Sequence, residues 1–288
     1  MIATVSAALA VAMAVSGAEP DAPQPVDSNT LELLRNDLLR SDDGGTKARA
    51  AADQAAQAGR GDLLLLGVTN CLHDVRIHSL KLLRGCALAD QVMVLNAALT
   101  TPALWLREQK IGELIVSQEQ VASTTAAVIH AILKQPDSAA SDLLDPAVRE
   151  RLAGELRAAL SARLKTDALK WDDGGTAARA ACDLAVKFQD VSVLIAAVGN
   201  PLFDVKRYAV QHLPKLDRAQ QVAALQHILR DEPLWVRERK IGELIVSQER
   251  FASDIRTLLA SLLKRDLQNA DLFSANTRTG LAAQLSAK

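Results

Sequence analysis

Two short stretches hold the side chains best suited to chemistry, and each occurs twice. Asp42-Asp43-Gly44-Gly45-Thr46 returns as Asp172-Asp173-Gly174-Gly175-Thr176. Carboxylates beside glycines suggest a calcium loop, but these are adjacent rather than alternating and no Glu closes the loop, so the EF-hand spacing is missing. A tight turn accounts for the residues better: glycine ends one helix in a left-handed conformation, and the hydroxyl of Thr46 or Thr176 caps the next. The second stretch is Leu104-Trp105-Leu106-Arg107-Glu108-Gln109-Lys110, repeated as Leu234-Trp235-Val236-Arg237-Glu238-Arg239-Lys240. Read as a helix, it gathers Trp105, Glu108 and Ile115 on one side and Arg107 and Lys110 on the next. In the plain reading Trp anchors the core, Gly112 and Gly242 permit close helix approach, and Lys110 with Glu113 is a surface pair. In the functional reading Trp105, Arg107, Glu108, Trp235, Arg237 and Glu238 line a repeated polar groove for an extended peptide, because Trp and Arg are typical interface anchors.

The remaining reactive types do not assemble. His73, His78, His130, His212 and His227 fall at unmatched positions of the two repeats, and the five-residue spacing of His73 and His78 faces poorly for a zinc pair. Cys71, Cys86 and Cys182 align with Pro201, Leu216 and Ala52, so no thiol serves both halves, and all three read as small buried side chains. Neither a Ser-His-Asp or Cys-His set, nor a phosphate loop, nor a zinc motif is present. The expectation is a protein without catalytic residues, metal or cofactor.

Composition narrows the class further. Aromatics make up 3% of 288 residues, while Ala, Leu, Arg, Asp, Glu and Gln dominate, which favours helix over sheet. No alternating β-branched run bounded by turn signals stands out, so essentially no strand is expected. A net charge of -1 with no basic block argues against nucleic acid, which needs a concentrated cationic face. Residues 1–18 are uncharged and apolar, too short to span a bilayer, and end in Ser16-Gly17-Ala18. They read as a signal peptide, followed by a Pro-rich linker over 19–28. The expectation is export to a periplasmic or extracellular location, with no stable membrane span after cleavage.

The elements that carry these residues are organised by a duplication. Leu34 to Lys134 aligns without a gap onto Leu164 to Lys264, with about 44 identities in about 101 positions. The longest identical stretch, Lys110-Ile111-Gly112-Glu113-Leu114-Ile115-Val116-Ser117-Gln118-Glu119, recurs as Lys240 to Glu249. Asp271-Leu272 with Arg278, Leu281, Ala282 and Leu285 follows Asp142-Leu143 with Arg149, Leu152, Ala153 and Leu156, a truncated third copy that caps the array. Asp145-Pro146 marks an N-cap with Pro in the first helical position, opening a helix to Lys165, and Gly85 a C-cap.

Within each copy an aliphatic or small residue followed by Arg or Lys recurs with apolar residues three and seven further on, as in Val75-Arg76 with Ser79 and Leu83, and Val205-Lys206 with Ala209 and Leu213. In His73-Asp74-Val75-Arg76 and Phe203-Asp204-Val205-Lys206 this resembles the HEAT and HEAT-like repeat family. The resemblance covers residues 30 to 285. It implies an all-α fold, a curved α-solenoid of stacked antiparallel helical hairpins: copy 1 over 29–137, copy 2 with its leading helix over 138–267, and a cap over 268–288. It implies a scaffold that binds a protein or peptide partner. A self-associating envelope protein, and an accessory subunit of an enzyme or a lyase-like HEAT-repeat enzyme, are the alternatives.

Overall fold

A computed structural model describes residues 27–105, 108–111, 114–135, 142–241 and 244–286; the expected signal peptide, most of the linker and Pro136 lie outside them. The chain divides into two compact units, residues 1–86 and 87–288. The described part of the first holds α1 (Ser28–Leu38), α2 (Thr46–Gln57), α3 (Leu64–Val68) and α4 (His73–Leu83). The second begins with α5 (Leu88–Leu99), β1 (Glu108–Ile111), β2 (Leu114–Ser117), α6 (Glu119–Leu133) and α7 (Pro146–Ala168). It continues through α8 (Thr176–Lys187), α9 (Val191–Val198), α10 (Phe203–His212), α11 (Arg218–Arg230), β3 (Glu238–Ile241), β4 (Leu244–Ser247), α12 (Glu249–Leu263) and α13 (Ala275–Ser286).

The fold is predominantly helical, as the composition implies, with one correction. The stretch after each Trp is not helical: β1 pairs with β2, and β3 with β4, as two antiparallel hairpins. Of the residues read as one helix face, Glu108 and Glu238 instead open strands, in which neighbouring residues point to opposite sides, while Trp105 and Trp235 end short helical turns. The missed signal is Ile-Gly-Glu-Leu-Ile-Val, where Gly-X between two apolar stretches is a two-residue hairpin connection.

Helix starts follow from local chemistry. Asp27, Asp145, Asp190 and Asp217 each accept a backbone N–H from the first turn of α1, α7, α9 and α11, satisfying donors that have no intrahelical partner. Pro146 fills the first position of α7. At the Asp-Asp-Gly-Gly-Thr turns the cap differs from expectation. Asp43, not Thr46, closes the turn, its carboxylate accepting from Gly45 N at 3.0 Å and Lys47 N at 3.0 Å. Asp173 does the same for Gly175 and Ala177, while the Thr46 and Thr176 hydroxyls donate back to the Asp carbonyls. Both glycines of each turn have positive φ. Gly45 and Gly175 are needed twice over, because an added Cβ would stand 2.5 Å from Val75 Cγ2 or Val205 Cγ2. Gly85, by contrast, follows α4 without a left-handed φ, and the left-handed C-caps of α6 and α12 are Lys134 and Lys264.

Packing is stepwise. Within the first unit α1 packs on α2, α2 on α4 and α3 on α4. Within the second, the main partners of each helix from α7 to α13 lie one or two helices away in the chain. Helix α12 shows why: Phe251, Ile255, Leu259 and Leu263 repeat every four residues and are buried, each contributing about 1.5–3 kcal/mol of apolar burial. Helices α2 and α8 instead bury mainly alanines, which lets neighbours approach closely. A buried asparagine ties each layer. Asn70 donates to Leu38 O and Arg40 O, and Asn200 to Ala168 O and Lys170 O, filling carbonyls left open at the ends of α1 and α7. Among the described residues no helix is long and apolar enough to cross a membrane.

Candidate functional site

The two tryptophans expected to line a groove are core residues. Trp105 and Trp235 are each only 6% exposed, and their indole N–H groups donate inward to Ala98 O and Ile228 O at 2.8 Å. Each is covered by an arginine from the next copy: Arg149 Cζ lies 5.8 Å from the Trp105 ring centroid, and Arg278 Cζ 5.6 Å from that of Trp235. The Arg149 guanidinium donates to Leu143 O and Leu144 O, and that of Arg278 to Leu272 O and Phe273 O. Trp and Arg thus join successive copies.

Arg237 is exposed but engaged. It pairs with Glu249 at 3.0 Å and Asp271 at 3.1 Å, and lies 4.7 Å from the Phe273 ring centroid. Glu238 opens β3 and is exposed. Glu108 opens β1, and Arg107 lies outside the described residues, as do Gly112, Glu113 and Gly242. Of the six residues expected to bind a partner, Arg237 and Glu238 are at the surface and the two tryptophans are not.

Corrections apply to the cysteines. Cys71 is exposed, Cys86 half-buried and only Cys182 fully buried. Burial, with a smaller push from Asp183, raises the Cys182 thiol to about 12, so it stays protonated and unreactive at neutral pH. The histidines do find a shared partner that sequence comparison hid. His78 Nε2 sits 2.9 Å from Asp53, and at the matching place Tyr208 donates to Asp183 at 2.9 Å, joined there by His212 Nε2 at 3.0 Å. The bond to Asp183, aided by burial, raises the Tyr208 phenol above its ordinary range. Cys182, the nearest thiol in sequence, is buried and protonated and so supplies no nucleophile to this cluster. Among the described residues no group of three His, Cys, Asp or Glu side chains could hold a metal.

Clefts run along α7. In the one lined by Arg157, Ser161, Phe188 and Asp190, burial alone would raise the Asp190 carboxyl. Hydrogen bonds from Ser161 and Ser192 outweigh it and hold the group below its usual range, so that carboxylate is already committed.

The hairpins remain. In the register of the second, Glu238 faces Ser247, Arg239 faces Val246, Lys240 faces Ile245 and Ile241 faces Leu244, and the first matches it pair for pair. Gln248 N donates to Arg237 O at 2.8 Å. Since bonded and non-bonded pairs alternate, Arg239–Val246 and Ile241–Leu244 are the bonded pairs, and Ile245 and Ser247 turn their own N–H and C=O outward. Among the described residues neither backbone has an outer partner, and each sheet has two strands only. Ile245 is 70% exposed.

No family model, curated protein or solved structure matches this chain. The comparison that remains is internal. Some core positions differ between the copies, with Leu80 against Val210, Val121 against Phe251 and Ile129 against Leu259, while others match, as Leu64 and Leu194 or Val75 and Val205 do, all buried. The hairpin segment is identical over ten residues although its Ile245 packs against little. At Ile245 packing does not explain that identity. Trp171 is also exposed, at 59%, but Ser41 stands at its place in the first copy.

Proposed function

We propose that this chain is a non-catalytic, exported scaffold built from HEAT-like repeats, and that it binds a protein or peptide through its two repeated hairpins. The observation that carries the reading is the ten-residue identity of the hairpins together with an uncharged strand, exposed at Ile245 and Ser247, whose outer backbone groups have no partner among the described residues. An extended peptide laid beside β4 would satisfy those groups, main-chain bonds giving affinity and alternate side chains giving selectivity. Stepwise helix packing supports the HEAT-like reading, since each layer buries its apolar face on the next. Trp105 and Trp235 hold the hairpins' roots rather than touch the partner, Arg237 fixes the base of β3, and Glu238 borders the contact.

The test is an array of ten-residue peptides probed with the parent and with an Ile115→Lys/Ile245→Lys variant of equal helicity and thermal stability. The parent should retain uncharged, β-branched peptides that the variant releases, because lysine on an exposed strand edge opposes strand addition. Equal retention by both proteins would refute the hairpin as the contact surface.

A further inference from the structure

The proposed surface leaves its occupant open, and the edge itself narrows the choice. Natural sheets protect an exposed edge with charge, Pro or a covering element. Strand β3 carries exposed Glu238 and Lys240, whereas β4, Leu244-Ile245-Val246-Ser247, carries no charge and no Pro. Among the described residues no third strand pairs with it.

The outward groups on β4 are those of Ile245 and Ser247, with Val246 between them. Laid antiparallel against an identical strand about a two-fold axis through Val246, Ile245 faces Ser247 of the other strand and Ser247 faces its Ile245. Directly opposed residues of this kind exchange both N–H···O=C bonds, so the two strands share about four backbone bonds. Val246 meets Val246, a close β-branched pair, and no charge opposes another. The edge is complementary to itself, and β2 has the same residues in the same register.

Resting on the reading of the hairpins as the contact surface, we propose that the outer edge of β4, with its duplicate on β2, pairs antiparallel with the same edge of a second copy of this chain. Two such edges per chain allow either a closed dimer, with both hairpins engaged, or growth into longer assemblies when the rotation does not close. Each contact is small, so single pairings are weak and paired ones gain by linkage.

The experiment is sedimentation equilibrium on the intact chain up to about 0.1 mM, a range that detects weak contacts. Three proteins are compared: the parent, a Val116→Lys/Val246→Lys variant and a Val116→Glu/Val246→Glu variant, each checked for parental helicity. The parent should exceed the monomer mass as concentration rises. Each charged variant should stay monomeric, since like charges then meet on the axis. An equimolar mixture of the two variants should associate again, because Lys then faces Glu. A parent monomeric throughout, charged variants that associate like the parent, or a folded mixture that stays monomeric would each overturn the proposal. A monomeric parent that still binds array peptides through Ile245 would leave the hairpin reading intact and remove only the second copy as its occupant.

Discussion

Arg278 covers the ring of Trp235, its guanidinium carbon 5.6 Å from the centroid, while the same side chain donates to Leu229 O, Leu272 O and Phe273 O. Arginine suits this place because its planar fork serves several carbonyls while its face stacks on an aromatic ring. The ring and the carbonyls belong to different stretches of chain, so one residue fastens the last copy to the one before it.

Removing that fastener should be costly. Arg278→Leu leaves buried carbonyls without donors and should lower stability by about 3 kcal/mol. Arg278→Lys should recover only part of the loss, because an ammonium cannot bridge the same carbonyls while stacking. Urea unfolding of the three proteins measures both differences.

The two glycines of one turn should behave differently. Gly174 and Gly175 both have positive φ, but a Cβ on Gly174 meets nothing within 4 Å whereas one on Gly175 meets Val205. Gly174→Ala should cost about 1 kcal/mol from the left-handed backbone alone. Gly175→Ala should cost about 2–4 kcal/mol, since overpacking adds to that strain. Equal losses in thermal unfolding would contradict the close approach.

Lys264 ends α12 at φ 54°, a conformation that strains a residue bearing a Cβ. Lys264→Gly should therefore raise stability by up to about 1 kcal/mol, relief of that strain exceeding the entropy lost by glycine. An unchanged or lower melting temperature would count against this.

Acid should remove the turn caps. The backbone N–H of Lys47 foremost, joined by that of Gly45, outweighs desolvation and holds the Asp43 carboxyl below its ordinary range; Ala177 and Gly175 do the same for Asp173. A depressed folded-state pKa stabilises above the unfolded value and is lost as pH falls through the folded one. The melting temperature of the parent should exceed that of Asp43→Ala/Asp173→Ala at neutral pH, and the gap should close below the ordinary carboxylate range. A gap that is constant with pH would show that charge plays no part in the cap.

Much of the helical framework was legible because its signals are local or periodic. Asp145-Pro146 announced α7, and the spacing of Val75, Ser79 and Leu83, and of Val205 and Ala209, announced the buried faces of α4 and α10. The hairpins were not, because Arg-Glu-Gln-Lys before Ile-Gly-Glu-Leu-Ile-Val suits a charged helix surface as well as a strand, and tertiary context decides short segments of this kind. The plain reading of Trp105 and Trp235 as core anchors was legible, but the arginines that cover them were not, since Arg149 and Arg278 lie 44 and 43 residues further along. The shared role of Asp53 and Asp183 was hidden because His78 and Tyr208 are different residue types reaching one carboxylate.

The most direct test of the hairpins as the contact surface is residue-resolved amide hydrogen exchange, with and without a peptide selected on the array. The N–H groups of Ile245 and Ser247 point outward and should exchange quickly in the free protein, then slow when the peptide adds as a strand. Val246, already bonded to Arg239, should change little. Protection that appears along α7 or around Trp171, with Ile245 and Ser247 unchanged, would contradict the account and move the binding surface to the helices.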